Sequence, residues 1–421
     1  MKLPHGVLKP RQEGKVCWLL KGLYGLKQAG RGWYQELMKV LVGDLEFTCP
    51  LLDHSVFHRR QNDEHTIIIV ATDDMMPTSK CAVDIERVKS EIWKHWDIMD
   101  GSEMHWYLGF QIRCDYIMHT ISINRCVYIE AILEIFHLTN AKLVAILMVS
   151  CKQFTKDQGP LMPKQVAAMQ GVLYTKVIGC VLWPVMITQP DCAFAVGILS
   201  QFIQNPRNVH WEALKWVMVY MGSTKDLWLI FGCHTWDLIE RFCDVDYAYQ
   251  CDQHSIVGYT YLLGHGAMSW SLKKQQIVAL STVEAEYVAQ AHTEKEALWL
   301  WTFLTELQSE PECWITINSD DQGVIALSKD NKYHSWTKHI NVWYYFIYKA
   351  VEDEKLSVQY IPTDENPANI FMKLLAKVKF CQFAELLRLH TIWLNGCEEL
   401  QGCADSQNLR GSVGVFPTIC T

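Results

Sequence analysis

Two stretches, Ser55 to Arg60 and the largely apolar His65 to Thr72, flank the polar run Gln61-Asn62-Asp63-Glu64 and predict a β-hairpin. Beyond Ser79 the pattern changes. Ile85, Val88, Ile92 and Trp96 recur at helical spacing. Tyr107 to Ile112 and Thr120 to Ile123 predict a second strand pair, and Tyr128 to Phe136 a helix. Residues 148–164 have weak periodicity and carry Pro160 and Pro163, which predicts a linker. Helices dominate from Ala168 to Lys225.

A new unit starts near Asp237. Leu238 to Val245, Gly258 to Leu263 and Met268 to Leu272 predict three strands. Thr282 to Leu307 predicts a long helix, begun by a Ser/Thr cap. Trp314 to Asn318 and Leu356 to Ile361 predict strands on either side of a helix over Gln322 to Leu327. Asn366 and Pro367 suit the cap and first position of a final helix. Mixed strands followed by alternating helices and strands give an α/β (α+β) fold class.

Composition narrows the picture. The 421 residues suffice for two or three domains, and half are apolar. No run approaches the roughly 20 apolar residues that span a bilayer, and no signal peptide is visible. The expectation is an intracellular chain with reduced thiols, since the sixteen cysteines form no CxxC pair. Cys397 and Cys403 do not match metal-ligand spacing. The net charge of -8 counts against strong nucleic-acid binding, although Lys21, Lys27 and Arg31 cluster.

Carboxylates supply the candidate chemistry. Asp73 and Asp74 follow an apolar strand, and adjacent like charges call for a cation or for a solvated turn. Asp244 lies in a strand, Glu284 in the first turn of the long helix, and Asp320 at a strand end. Three such carboxylates either converge on Mg²⁺ or sit apart as acids favoured by helix N-termini. His54, His58 and His339 read as structural.

Several segments carry a resemblance. Leu23 to Tyr34 reads LYGLKQAGRGWY and is similar to the LYGLKQAPRxWY signature of copia-type retrotransposon reverse transcriptases. Thr188-Gln189-Pro190-Asp191 resembles that family's TRPD. Lys273-Lys274-Gln275, Ser281 to Tyr287 and Tyr333 to Ile340 resemble its RNase H region. The resemblance runs in order from residue 1 to about 390. It implies a partial reverse-transcriptase palm over 1–150, a helical thumb or connection over 151–235 and an RNase H-like mixed-sheet domain over 236–390. An unstructured tail is expected over 391–421. It also implies Mg²⁺ as ancestral cofactor, with RNA template and RNA–DNA hybrid as partners and no membrane. Asp73 and Asp74 occupy the polymerase carboxylate positions, and Gln28 lies near the nucleotide site. Asp244, Glu284 and Asp320 occupy RNase H carboxylate positions.

Departures from the family pattern are equally informative. The first palm Asp falls upstream of this chain, and protease and integrase regions are absent. Ala71-Thr72 stands where the family has Tyr-Val, and Asn369 stands at a fourth RNase H carboxylate position. Arginine positions read Trp216, Trp336, Trp343, Gln189 and Gln253, and proline positions read Leu143, Leu147 and Leu374. Each change fits a cytosine-to-thymine transition on one strand or the other, which implies mutational decay. The expectation is a remnant without polymerase activity and with weak or no RNase H activity, raised by Asn369→Asp. The alternatives are a non-catalytic nucleic-acid-binding or scaffold protein on the same fold, and a decayed product with no role.

Overall fold

A computed structural model describes residues 18–392 except 20–21, 24, 62–63, 73, 148–153, 155–168, 170, 233–238, 247–253, 280, 308–314, 321, 323–324 and 326–355. Cys397, Cys403, His339, Gln253, Trp336 and Trp343 lie outside the described residues, as does most of the expected linker. The chain forms two compact units that divide between Glu103 and Met104. The division therefore falls within residues 1–150.

The first unit opens with α1 (Ala29–Met38), which runs into a π-helical turn at Lys39–Asp44. Strands β1 (Val56–Gln61), β2 (Glu64–Ala71) and β3 (Asp74–Ser79) form an antiparallel sheet in that order. The alternation in β2 buries Thr66, Ile68 and Val70 and leaves their neighbours half-buried, as a one-sided sheet requires. Helix α2 (Ala82–Trp93) buries Ile85, Val88 and Ile92 along one stripe. Val88 and Ile92 meet Leu41, Phe57 and Ile68 in the core. Lys89, 3% exposed, is held at 2.9 Å by Asp100.

The second unit contains two five-stranded sheets. One is antiparallel. It joins β4 (Trp106–Tyr107), β5 (Phe110–Asp115) and β6 (Thr120–Asn124) to β7 (Leu227–Gly232) and β13 (Leu389–Thr391). The helices α3 (Cys126–Ile135), α4 (Tyr174–Val185), α5 (Ala193–Ser200) and α6 (Asn208–Ser223) build its core, with Val177, Val181, Leu214 and Val217 fully buried. Trp216 on α6 is half-buried, and its indole N–H donates to the Ile146 carbonyl at 2.9 Å. It is therefore a packed residue.

The other sheet has the order β10 (Gly266–Lys274), β9 (Ile256–Leu263), β8 (Ile239–Asp246), β11 (Ile315–Ser319), β12 (Leu356–Tyr360). Its first three strands are antiparallel and its last three parallel. Helix α7 (Thr282–Glu306) covers this sheet, packing Ala297 and Leu300 onto Ile239, Tyr261 and Ile317. Ser281 caps it, accepting from the Glu284 N–H at 3.1 Å.

The expected helix at Asn366 takes a tighter form. Pro367–Phe371 is a 3₁₀ turn, and the α-helix α8 begins only at Lys377 (Lys377–Leu386). Asn366 does cap the turn, its side-chain oxygen accepting from Ala368 N–H at 3.1 Å. The turn lies flat against β9: a Cβ on Gly258 would come within 2.9 Å of Phe371 Cβ. Glycine at that position lets the two backbones approach.

Candidate functional site

Asp244, near the end of β8, and Asp320, immediately after β11, stand on neighbouring parallel strands. Glu286 reaches them from the first turns of α7. One carboxylate oxygen from each of the three lies within 4.8 Å of the others. Asp244 is 6% exposed, and the other two are half-buried. Burial pushes the Asp244 carboxyl up to about 6, the nearby Asp320 adds to the rise, and Lys373 opposes it. The Lys373 ammonium sits 3.9 Å from Asp244 Oδ2. Converging, partly desolvated carboxylates are the donor set that hard divalent cations select, so the residues fit Mg²⁺ or Mn²⁺.

The sequence reading named Asp244 and Asp320, and the structure brings them together. It does not bring Glu284 into the group. Two residues along an α-helix turn a side chain by about 200°, so Glu284 and Glu286 cannot share a target. Glu284 is half-buried at the capped end of α7. The missed residue had a readable signal. Glu286, Thr293, Ala297 and Leu300 follow one helical stripe, and its last three members are buried.

Asn369 is 2% exposed, and its amide nitrogen donates to the carbonyls of Thr363 at 2.8 Å and Asn366 at 3.0 Å. Its Oδ1 is buried without a hydrogen-bond partner among the described residues.

The other carboxylate pair belongs to the first unit. Asp73 lies outside the described residues. Asp74 opens β3, exposed, paired in register with Ala71 across the β2–β3 hairpin. Thr72 in that turn has φ +58°, an uncommon value for a β-branched residue. The Trp33 indole N–H fastens the turn, donating to the Thr72 carbonyl at 2.7 Å. Gln28 precedes α1 and is exposed. Among the described residues Asp74 belongs to no group of three metal-ligating side chains. Glu64, Cys81 and Asp84 do form such a group in this unit. Asp84 there is already paired with Arg87 one turn along α2.

Two buried polar residues elsewhere have structural partners. Asp191, from the TQPD segment, is 1% exposed and accepts from the Tyr220 hydroxyl at 2.7 Å. Arg125 stacks its guanidinium over Phe110 and Trp183, 4.1 and 4.6 Å from the ring centres.

Comparison with known proteins defines the class first. The family of reverse transcriptases (RNA-dependent DNA polymerases) matches residues 1–150. A retrovirus-related Pol polyprotein from transposon TNT 1-94 of Nicotiana tabacum is 35% identical over 393 residues, covering 93% of this chain and 29% of that protein. The Pol polyprotein from transposon RE2 of Arabidopsis thaliana is 29% identical over 385 residues, 91% of this chain and 26% of that protein. A secreted RxLR effector protein 161 of Plasmopara viticola is 39% identical over 133 residues, 31% of this chain and 94% of that protein. Over nine-tenths of its length the chain is homologous to the Pol polyproteins of copia-type transposons, and residues 1–150 match the reverse-transcriptase family. It spans less than a third of the length of the polyproteins it matches. Among the described residues no helix is long and apolar enough to cross a membrane.

Proposed function

We propose that the sheet-and-helix part of this chain, residues 236–390, is a ribonuclease H-like unit that acts on the RNA strand of an RNA–DNA hybrid. The observation that carries this reading is the convergence of Asp244, Glu286 and Asp320 within 4.8 Å. These three would hold the divalent cation. Such an ion supplies Lewis-acid stabilisation for charge developing on a phosphodiester oxygen. Asp244 and Asp320 orient the site from adjacent strands, and Glu286 closes it from α7. Lys373 places a positive charge beside Asp244, where a phosphate would also be attracted.

The part that resembles a polymerase carries Asp74 at a hairpin turn, and we propose that it does not extend primers. Phosphoryl transfer depends on positioned metals, and Asp74 is exposed at a turn.

The test is cleavage of an RNA–DNA hybrid by purified protein in Mg²⁺ and in Mn²⁺. Weak cleavage should be lost in Glu286→Gln and kept in Glu284→Gln. Cleavage that survives Glu286→Gln, or none from folded protein, refutes the reading. One observation favours a second reading, a non-catalytic hybrid-binding scaffold: Lys373 already offsets the Asp244 charge. That reading expects salt-dependent hybrid affinity without turnover.

A further inference from the structure

The segment from Thr363 to Phe371 is tied by a run of hydrogen bonds to the Asp320 carboxylate and to the backbone next to Asp244. The Thr363 hydroxyl donates to Asp320 Oδ2 at 2.8 Å. The Asn369 amide nitrogen donates to the Thr363 carbonyl at 2.8 Å and to the Asn366 carbonyl at 3.0 Å. Asn366 in turn donates to the carbonyl of Cys243, the residue before Asp244, at 2.8 Å. Both asparagines are buried, and Thr363 is exposed.

This geometry bears on what Asn369 does. A carboxylate at that position would have no hydrogen to donate and would face two carbonyl oxygens. The amide is the side chain that satisfies both. Its bond to the Thr363 carbonyl fixes that residue's backbone, and a fixed Thr363 hydroxyl restricts the rotation of Asp320. A ligand carboxylate held by an outer partner keeps its direction when the cation arrives.

We infer that Asn369 and Thr363 are positioning residues for the cation site of Asp244, Glu286 and Asp320, with Asn369 acting through Thr363 on Asp320. The inference rests on the reading of that group as a divalent-cation site. Asn369 is then a brace peculiar to the asparagine, and restoring an aspartate there weakens the site rather than repairing it.

The experiment is Mn²⁺ binding to the full chain, read by the loss of the free-ion electron paramagnetic resonance signal. Circular dichroism and urea unfolding run alongside. Thr363→Val should weaken Mn²⁺ binding by about 10–100-fold with an unchanged urea midpoint, because the side chain it alters is exposed. Thr363→Ser should bind as the unaltered chain does. Asn369→Asp should also bind more weakly, despite its added charge. If Thr363→Val binds normally while Asp320→Asn does not bind, the positioning role is overturned and the cation site stands. Tighter binding in Asn369→Asp likewise overturns it, since the position would then be a ligand. If the unaltered chain binds no Mn²⁺, or binds it independently of Asp320, the cation-site reading falls and the inference with it. Thr363→Val decides alone if Asn369→Asp fails to fold.

Discussion

Raising the pH from about 6.5 to about 8.5 should destabilise the second unit, and Glu294→Gln should remove most of that loss. Glu294 lies on α7 and is 0% exposed. Burial pushes its carboxyl up to about 8 from an ordinary 4.5, while Arg241 and Gln290 beside it pull the other way without cancelling the rise. The folded chain therefore keeps a proton that the unfolded chain gives up. Stability from this group is complete below about pH 4.5 and is lost as the pH rises through about 8. The whole interval is worth on the order of 3–5 kcal/mol, at about 1.4 kcal/mol per pH unit. Other groups act lower on the scale. Asp191 and Asp244 are pushed up to about 6, and His210 is pushed down to about 4. Above the ordinary histidine range Glu294 dominates, with about 2 kcal/mol lost between pH 6.5 and 8. Urea unfolding followed by circular dichroism should show the midpoint falling by roughly 1 M over that range. A flat midpoint in the unaltered chain, or an equal slope in Glu294→Gln, refutes the reasoning.

Three further outcomes are expected. Primer extension on a homopolymer template with Mg²⁺ or Mn²⁺ should stay at background; extension abolished by Asp73→Asn would overturn the proposal of an inert polymerase part. Trp216→Arg should destabilise by about 1–2 kcal/mol, because it removes the indole bond to Ile146; an unchanged urea midpoint would count against this. Gly258→Ala should cost about 1–3 kcal/mol through overpacking against Met372 and Phe371, and a neutral effect on thermal unfolding would show that the 3₁₀ turn can move away.

Local pattern carried the sequence reading where neighbours along the chain decide the outcome. The stretches on either side of the polar Gln61–Glu64 run predicted β1 and β2, and the Ser281 cap with its long periodic run predicted α7. Pairing between distant segments was not legible. Leu229 pairs with both Ile123 and Leu389, and nothing in the periodicity of β7 selects those partners. The order β10-β9-β8-β11-β12 is a further case, since period-2 patterns are alike in parallel and antiparallel strands. At the site, spacing identified strand-end acids but not helix rotation, so Glu284 was named where Glu286 converges. Trp216 shows the same limit: the residues above it come from a different segment, around Ile146. Asn369 was read by its chemistry as a lost charge, while its amide hydrogens make two bonds that no carboxylate could make.

Stability and chemistry in the second unit share one seam. Asp244 lies on β8 and Glu286 on α7, so their separation is set by how that helix packs on that sheet. Arg241 on β8 and Glu294 on α7, both 0% exposed, are buried in the same packing, Glu294 about two turns beyond Glu286. Glu294 keeps its proton there, and ionising it puts a buried carboxylate into the seam at a net cost that Arg241 does not cancel. Loosening the seam at alkaline pH therefore moves the carboxylates apart before any ligand is altered. Loss of hybrid cleavage above about pH 8 would then have two physical causes. Glu294→Gln separates them, since it keeps position 294 uncharged at every pH and touches no member of the carboxylate group. If that variant cleaves where the unaltered chain does not, packing was the limit. If both are folded and inert, the fault lies with Asp244, Glu286 and Asp320 themselves.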